Sequence, residues 1–142
     1  MTRAPAPDFH VRYLATPFLW RGTDPAGWDC QGLVSWVRRE DFGLPAPDYS
    51  GLYSDADGLL SRADRAALQE RLVRAEMGAW RRVERRPGAV VLLNVLGRPV
   101  HMGVCLTGGR FLHALRTAGT LVEELDAGRW SGKVEGFYDR DA

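Results

Sequence analysis

A chain of 142 residues, 45% of them apolar, suits one compact domain and can bury a core without disulfides or bound metal. Nineteen Lys and Arg against eighteen Asp and Glu leave a net charge of +1, so bulk electrostatics gives no case for a nucleic-acid or anionic-membrane partner. Two cysteines, Cys30 and Cys105, are too few for a secreted disulfide scaffold.

In chain order, residues 1–8 are rich in Pro and Ala and read as a loose arm. They contain no apolar signal-peptide core, and no later run is long enough to span a membrane. The expectation is a soluble product made in the cytoplasm. Residues 9–19 suggest a short helix or turn, and Gly22, Asp24 and Pro25 a loop. Asp29 is a good helix cap, and Leu33, Val34, Trp36 and Val37 recur at helical spacing, so a helix is predicted from Cys30 to about Phe42. Gly43 and Pro45 stop it, and residues 44–58 read as an irregular excursion. A second helix is predicted from Ser61, with Leu68, Leu72, Val73, Met77 and Trp80 on one face. Arg81, Arg82, Arg85 and Arg86 read as its solvated end. From Ala89 the pattern turns strand-like: residues 89–96, a turn at Gly97-Arg98-Pro99, then residues 100–106, 110–115 and 120–125, with a further strand in residues 130–138. Helices first and an antiparallel sheet second make an α+β fold.

The chemistry centres on a thiol. A cysteine attacks as thiolate, and a helix N-terminus or a neighbouring imidazolium lowers its pKa. Cys30 stands at a predicted helix start, where backbone N–H groups can also hold an oxyanion. Its base must come from elsewhere. His101 and His113 lie on adjacent predicted strands, the first placed to take the thiol proton and the second to orient the first. This requires an odd-length loop or a bulge between the strands, because a plain two-residue turn at Gly108-Gly109 puts the two imidazoles on opposite faces.

Gly27-Trp28-Asp29-Cys30-Gln31-Gly32-Leu33-Val34, His101-Met102-Gly103-Val104-Cys105-Leu106 and Phe111-Leu112-His113-Ala114 together resemble the NlpC/P60 peptidases. The resemblance covers residues 14–138 and implies a papain-like α+β fold, with N-terminal helices packed on a C-terminal antiparallel sheet in a single domain. It implies Cys30 as nucleophile, His101 as base and His113 as third residue. The implied substrate is the stem peptide of bacterial peptidoglycan, cut between γ-D-glutamate and diaminopimelate through a Cys30 acyl-enzyme. Phe18 stands where the family usually carries a Tyr that helps at the oxyanion, Ala89 where it carries an Asp, and Gln31 where it carries a Ser. These departures resemble shorter members carried on phage or gene-transfer-agent tails. They imply tail-tip or hub proteins as partners, and action in the cell wall or periplasm from a virion tail. Three alternatives stand beside this: a tail assembly protein that keeps the fold without activity, an antibacterial effector injected by a secretion system, and an acyltransferase or amidase that shares the acyl-enzyme step on other substrates.

Several residues have simpler readings. Cys105 shares period-2 parity with His101 but reads as core, and Asp29 reads as a cap. Trp28 walls a substrate cleft or packs in the core, and Phe18 and Asp29 are expected to border the same cleft. Trp20, Trp36, Trp80 and Trp130 read as core or interface, and His10 as a surface residue. No closely spaced pair of metal ligands occurs, so neither metal nor cofactor is expected.

Overall fold

A computed structural model describes residues 5–46 and 79–140. The helix predicted from Ser61 and most of the excursion before it lie outside the described residues.

Helix α1 spans Cys30–Glu40. Asp29, with extended backbone, caps it: its carboxylate accepts the Gly32 N–H at 2.9 Å. Leu33, Val34 and Val37 form the buried stripe that the helical spacing predicts. Gly32 has a packing reason to lack a side chain, since a Cβ there would lie 2.1 Å from the Gly22 carbonyl oxygen. On the inner side of α1, the fully buried Arg38 donates to the Gly88 carbonyl at 2.6 Å, to the Pro45 carbonyl at 2.9 Å and to Asp139 at 2.7 Å. Every one of those partners is an acceptor, which is how a buried guanidinium is tolerated.

Ahead of α1, residues Phe9–Tyr13 form one 3₁₀ turn, and the Tyr13 hydroxyl donates to Asp41 just past α1. His10 is buried beside Phe9 and not on the surface, because this turn folds back onto the body of the protein. The segment read as a loop contains a small hairpin, β1 (Thr23–Asp24) with β2 (Gly27–Trp28).

Among the described residues, the main sheet has six antiparallel strands: β3 (Arg81–Val83), β4 (Val90–Val95), β5 (Arg98–Cys105), β6 (Arg110–Leu115), β7 (Gly119–Glu124) and β8 (Val134–Asp139). Their spatial order is β3-β8-β4-β5-β6-β7. The arginine cluster is therefore not a helix end. Arg81 and Arg82 lie on the edge strand β3, Arg82 pairing with Glu135, while Arg85 pairs with Asp126 and Arg86 with Asp139. Charge on an edge strand discourages a second chain from adding to the sheet. The β4–β5 turn is Leu96-Gly97, both with positive φ, so Arg98 and Pro99 belong to β5. A shift in pairing between Leu93 and Asn94 accommodates the proline.

The sheet buries both faces. Val90, Leu92, Met102, Val104, Leu112 and Ala114 pack toward α1, with Cys30, Leu33, Val34 and Val37. Ala89, Val91, Leu93, Cys105, Phe111, Leu125 and Trp130 form a second cluster. Among the described residues, one α-helix packs on a large antiparallel sheet, the predicted α+β class.

Candidate active site

The thiol comes from the first residue of α1. Cys30 is 6% exposed, and the backbone N–H groups of Met102, Gln31 and its own residue act on its sulfur to lower its pKa. Those donors favour thiolate, as the helix start predicts. Burial acts in the opposite direction and is the larger effect, with the Asp29 carboxylate adding to it. Together they push the thiol up to about 12. At rest Cys30 is a neutral thiol, and Met102, whose backbone N–H acts on it, follows His101 in sequence.

The imidazoles come from the sheet. Val104 pairs with Leu112 and Cys105 with Phe111, and the connection is the three-residue 3₁₀ turn Thr107–Gly109. That odd length puts His101 and His113 on one face as diagonal neighbours, the arrangement that the sequence required. Gly103 lies across from His113 between them. A Cβ on it would sit 2.7 Å from the Leu112 carbonyl oxygen and 3.0 Å from the His113 Cβ, so glycine is what lets β6 approach.

His101 Nε2 and His113 Nδ1 are 2.7 Å apart, and His113 Nε2 lies 2.7 Å from Glu123 Oε2 on β7. Arg129 donates to both Glu123 oxygens, at 2.8 and 2.9 Å, and the Trp130 indole N–H donates to one of them at 2.7 Å. Trp130 stacks on His101 with centroids 5.3 Å apart, and Phe111 stacks on His113 at 4.2 Å. Enclosed this way, both imidazoles are held neutral. Burial lowers His101 to about 3, with the neighbouring His113 adding to the effect, and lowers His113 to about 4 against the opposing pull of Glu123. Burial works to raise the Glu123 carboxyl, but the bonds from Arg129 and Trp130 and the nearby His113 prevail, leaving it below its ordinary value and ionised.

Strand parity places the two histidines on the sheet face away from α1, and Cys30 packs on the near face. They meet at one cavity, beyond the end of the β5–β6 pairing. Their pairing covers only Val104↔Leu112 and Cys105↔Phe111, and stops short of His101 and Leu115. A cavity of about 530 Å³ occupies this end of the sheet and is lined from both sides, by Cys30, Asp29 and Ala114 as well as by His101, Arg129 and Trp130. Thiol and imidazole border the same space. The hairpin tip Val95-Leu96, Phe18, Trp20, Arg116 and Lys133 complete its rim.

Of the residues singled out from the sequence, Cys30, His101, Phe18 and Asp29 line this cavity, and His113 touches His101 behind it. Asp29 acts as the cap, accepting also from the Arg21 N–H. Phe18 brings no hydroxyl and can supply only an apolar wall. Trp28 belongs to the core: it is fully buried, and its indole N–H donates to Thr120 Oγ1 at 2.8 Å. Cys105 is fully buried in the second cluster, as expected of a core cysteine. Sequence reading missed Glu123, Arg129 and the site role of Trp130. The available signal was period-2 counting on β7: His113 pairs with Leu121, so Glu123 two residues on faces the same side. Among the described residues, no three His, Cys, Asp or Glu side chains are grouped to hold a metal ion.

Known proteins share this arrangement of elements. The chain is 27% identical over 129 residues to the gamma-DL-glutamyl hydrolase of Bacillus subtilis, covering 89% of this chain and 26% of that protein. It is 24% identical over 103 residues to protein P54 of Enterococcus faecium, covering 72% of this chain and 16% of that one. The chain therefore spans well under half the length of these relatives. Among solved structures, it superposes on a lipoprotein-like NLP/P60 protein of Staphylococcus aureus with a TM-score of 0.61 at 22% identity, covering 95% of this chain and 40% of the other. It superposes on the NlpC/p60 domain of the peptidoglycan hydrolase SagA with a TM-score of 0.53 at 20% identity, covering 91% and 90%. With the NlpC/P60 pattern matching residues 15–138, the chain belongs to the NlpC/P60 family.

Proposed function

We propose that the chain is a cysteine endopeptidase of bacterial peptidoglycan, cutting stem peptides at the γ-D-glutamyl–diaminopimelate bond. The observation that carries this reading is the cavity shared by Cys30 and His101, with His101 backed by His113. Because thiol and imidazole are both neutral at rest, proton transfer accompanies attack. The S–H proton passes to His101 as sulfur bonds to the amide carbonyl carbon, and backbone N–H groups at the start of α1 face the developing oxyanion. The C–N bond then breaks, the amine leaves with the proton from His101, and water releases the acyl group from Cys30 by the reverse proton path. The rim supports the substrate class. Its exposed cations Arg116 and Lys133 stand beside apolar walls, and a γ-linked stem peptide offers free carboxylates along a short apolar chain. The Bacillus subtilis relative is a gamma-DL-glutamyl hydrolase, which supports a γ-glutamyl bond as the target.

We further infer that the enzyme works from the tip of a phage-like tail, in contact with tail or hub proteins, opening the wall locally. The departures at Phe18, Gln31 and Ala89 support that setting. The second reading, a structural tail protein without turnover, is favoured by the missing hydroxyl at Phe18 and by the burial of the thiol.

One experiment separates them. Purified peptidoglycan is digested with wild type, Cys30→Ala, His101→Ala and Cys105→Ala, and the muropeptides are identified by mass spectrometry. Hydrolysis is expected from wild type and Cys105→Ala, and none from the other two. Equal products from wild type and Cys30→Ala would overturn the peptidase reading. Virions with Cys30→Ala that assemble but infect poorly support a catalytic role at the tail, and failure to assemble supports the structural one.

A further inference from the structure

Four groups are linked in series from His101: His101, His113, Glu123 and Arg129, each within 2.9 Å of the next. Hydrogen-bond bookkeeping along that line has one solution. An ionised carboxylate only accepts, so His113 must carry its proton on Nε2, facing Glu123. A neutral His113 then has a bare Nδ1, which can only accept, so the proton between the rings belongs to His101 Nε2. A neutral His101 with its proton on Nε2 has an unprotonated Nδ1. That is the nitrogen a thiol proton needs.

We propose that Glu123 is a positioning residue of the reaction, whose carboxylate sets the tautomers of both histidines in series and so keeps His101 Nδ1 basic. The inference rests on the peptidase reading for its consequence, though not for the tautomers themselves. The carboxylate is itself fixed. Arg129 grips both oxygens and the Trp130 indole holds one, while the Trp130 ring stacks on His101. Residues 128–130, a short 3₁₀ turn ahead of β8, therefore hold the acid and the base together. When His101 accepts the thiol proton, its Nε2–H bond to His113 strengthens and Glu123 faces the new positive charge through the second ring. Without the carboxylate, His113 is free to place its proton on Nδ1. That proton would point at His101 Nε2, force the His101 proton onto Nδ1 and remove the base.

Only three histidines occur in the chain, which makes the tautomers directly readable. The protein is labelled with ¹⁵N-histidine, and two-bond ¹H–¹⁵N correlations are recorded near pH 7.5 for wild type, Glu123→Ala and Glu123→Gln. In wild type, His101 and His113 are expected as Nε2–H tautomers. Glu123→Ala should show a substantial Nδ1–H population for His113. Glu123→Gln keeps an acceptor oxygen without the charge and should retain more of the Nε2–H form. On a stem peptide, Glu123→Ala is expected to lose at least tenfold in kcat with KM within about twofold, and Glu123→Gln to lie between it and wild type. Amide spectra report whether each variant is folded. An Nδ1–H tautomer for His113 in wild type, or unchanged tautomers in a folded Glu123→Ala, would overturn the proposal. If the tautomers respond as expected but wild type hydrolyses no stem peptide, the relay stands and the substrate reading falls.

Discussion

At the scale of single residues, the two cysteines make an internal comparison. Burial pushes both thiols up to about 12, so neither owes reactivity to a standing thiolate. They differ in access and in neighbours. Cys30 borders the cavity and receives three backbone N–H groups, while Cys105 is sealed in the second core cluster. Iodoacetamide near neutral pH is therefore expected to modify Cys30 slowly but well ahead of Cys105. Cys105 should become reactive only as urea unfolds the chain. Peptide mapping of alkylated protein reads both rates, and equal rates in the native state would mean that the cavity gives the thiol no advantage. The grouping of Cys30, His101 and His113 was legible, because their types and order already suggest that they share one site. The resting protonation state was not. It depends on a contest between helix N-terminus and burial, and a sequence reports only the first.

Among the elements, legibility followed the length and regularity of the pattern. Helix α1 announced itself through the Asp29 cap and the apolar spacing that follows it, and β4 to β8 through apolar runs between glycines. The hairpin β1–β2 has two-residue strands, too short for any period to show. Strand β3 reads Arg-Arg-Val, and an edge strand need not alternate because only part of it is covered. The β4–β5 turn misled because the residue preceding Gly97 is leucine. Turns with positive φ at both central positions favour Asn-Gly, yet Leu96 takes φ of 53° and is 96% exposed at the mouth of the cavity. A left-handed leucine costs about 1 kcal/mol or more, and strain of this kind gathers at functional sites. Leu96→Asn is expected to raise the melting temperature by about 3 °C. The same change removes an apolar wall, so KM for a stem peptide should rise with kcat little altered. A melting temperature that does not rise would show that the turn carries no strain to relieve.

Across the whole molecule, the site and the stability of the fold share the same buried groups, and pH acts on both. His101 and His113 are held neutral in the fold, at about 3 and 4, against an ordinary histidine value near 6.5 once unfolded. Above pH 6.5 neither state binds the proton, and these groups leave stability unchanged. As pH falls from 6.5 toward 4 the unfolded chain takes up protons that the folded one refuses, so stability is lost across that window. Asp139 acts lower down. Burial works to raise its carboxyl, but bonds from Arg86 and Arg38 prevail and hold it below its ordinary value of 3.8. Its contribution is present above that value and disappears as pH falls through the depressed one. Because Asp139 holds the buried Arg38, its protonation also loosens the join between α1 and β8. Thermal melts should therefore show a first decline between pH 6.5 and 4, and a steeper one below it. His113→Asn, which removes one of the two titrating rings, should start from a lower melting temperature near pH 7.5 but fall less between pH 6.5 and 4.5. A decline as steep as that of wild type over that interval would mean that the buried histidines are not what acid attacks first.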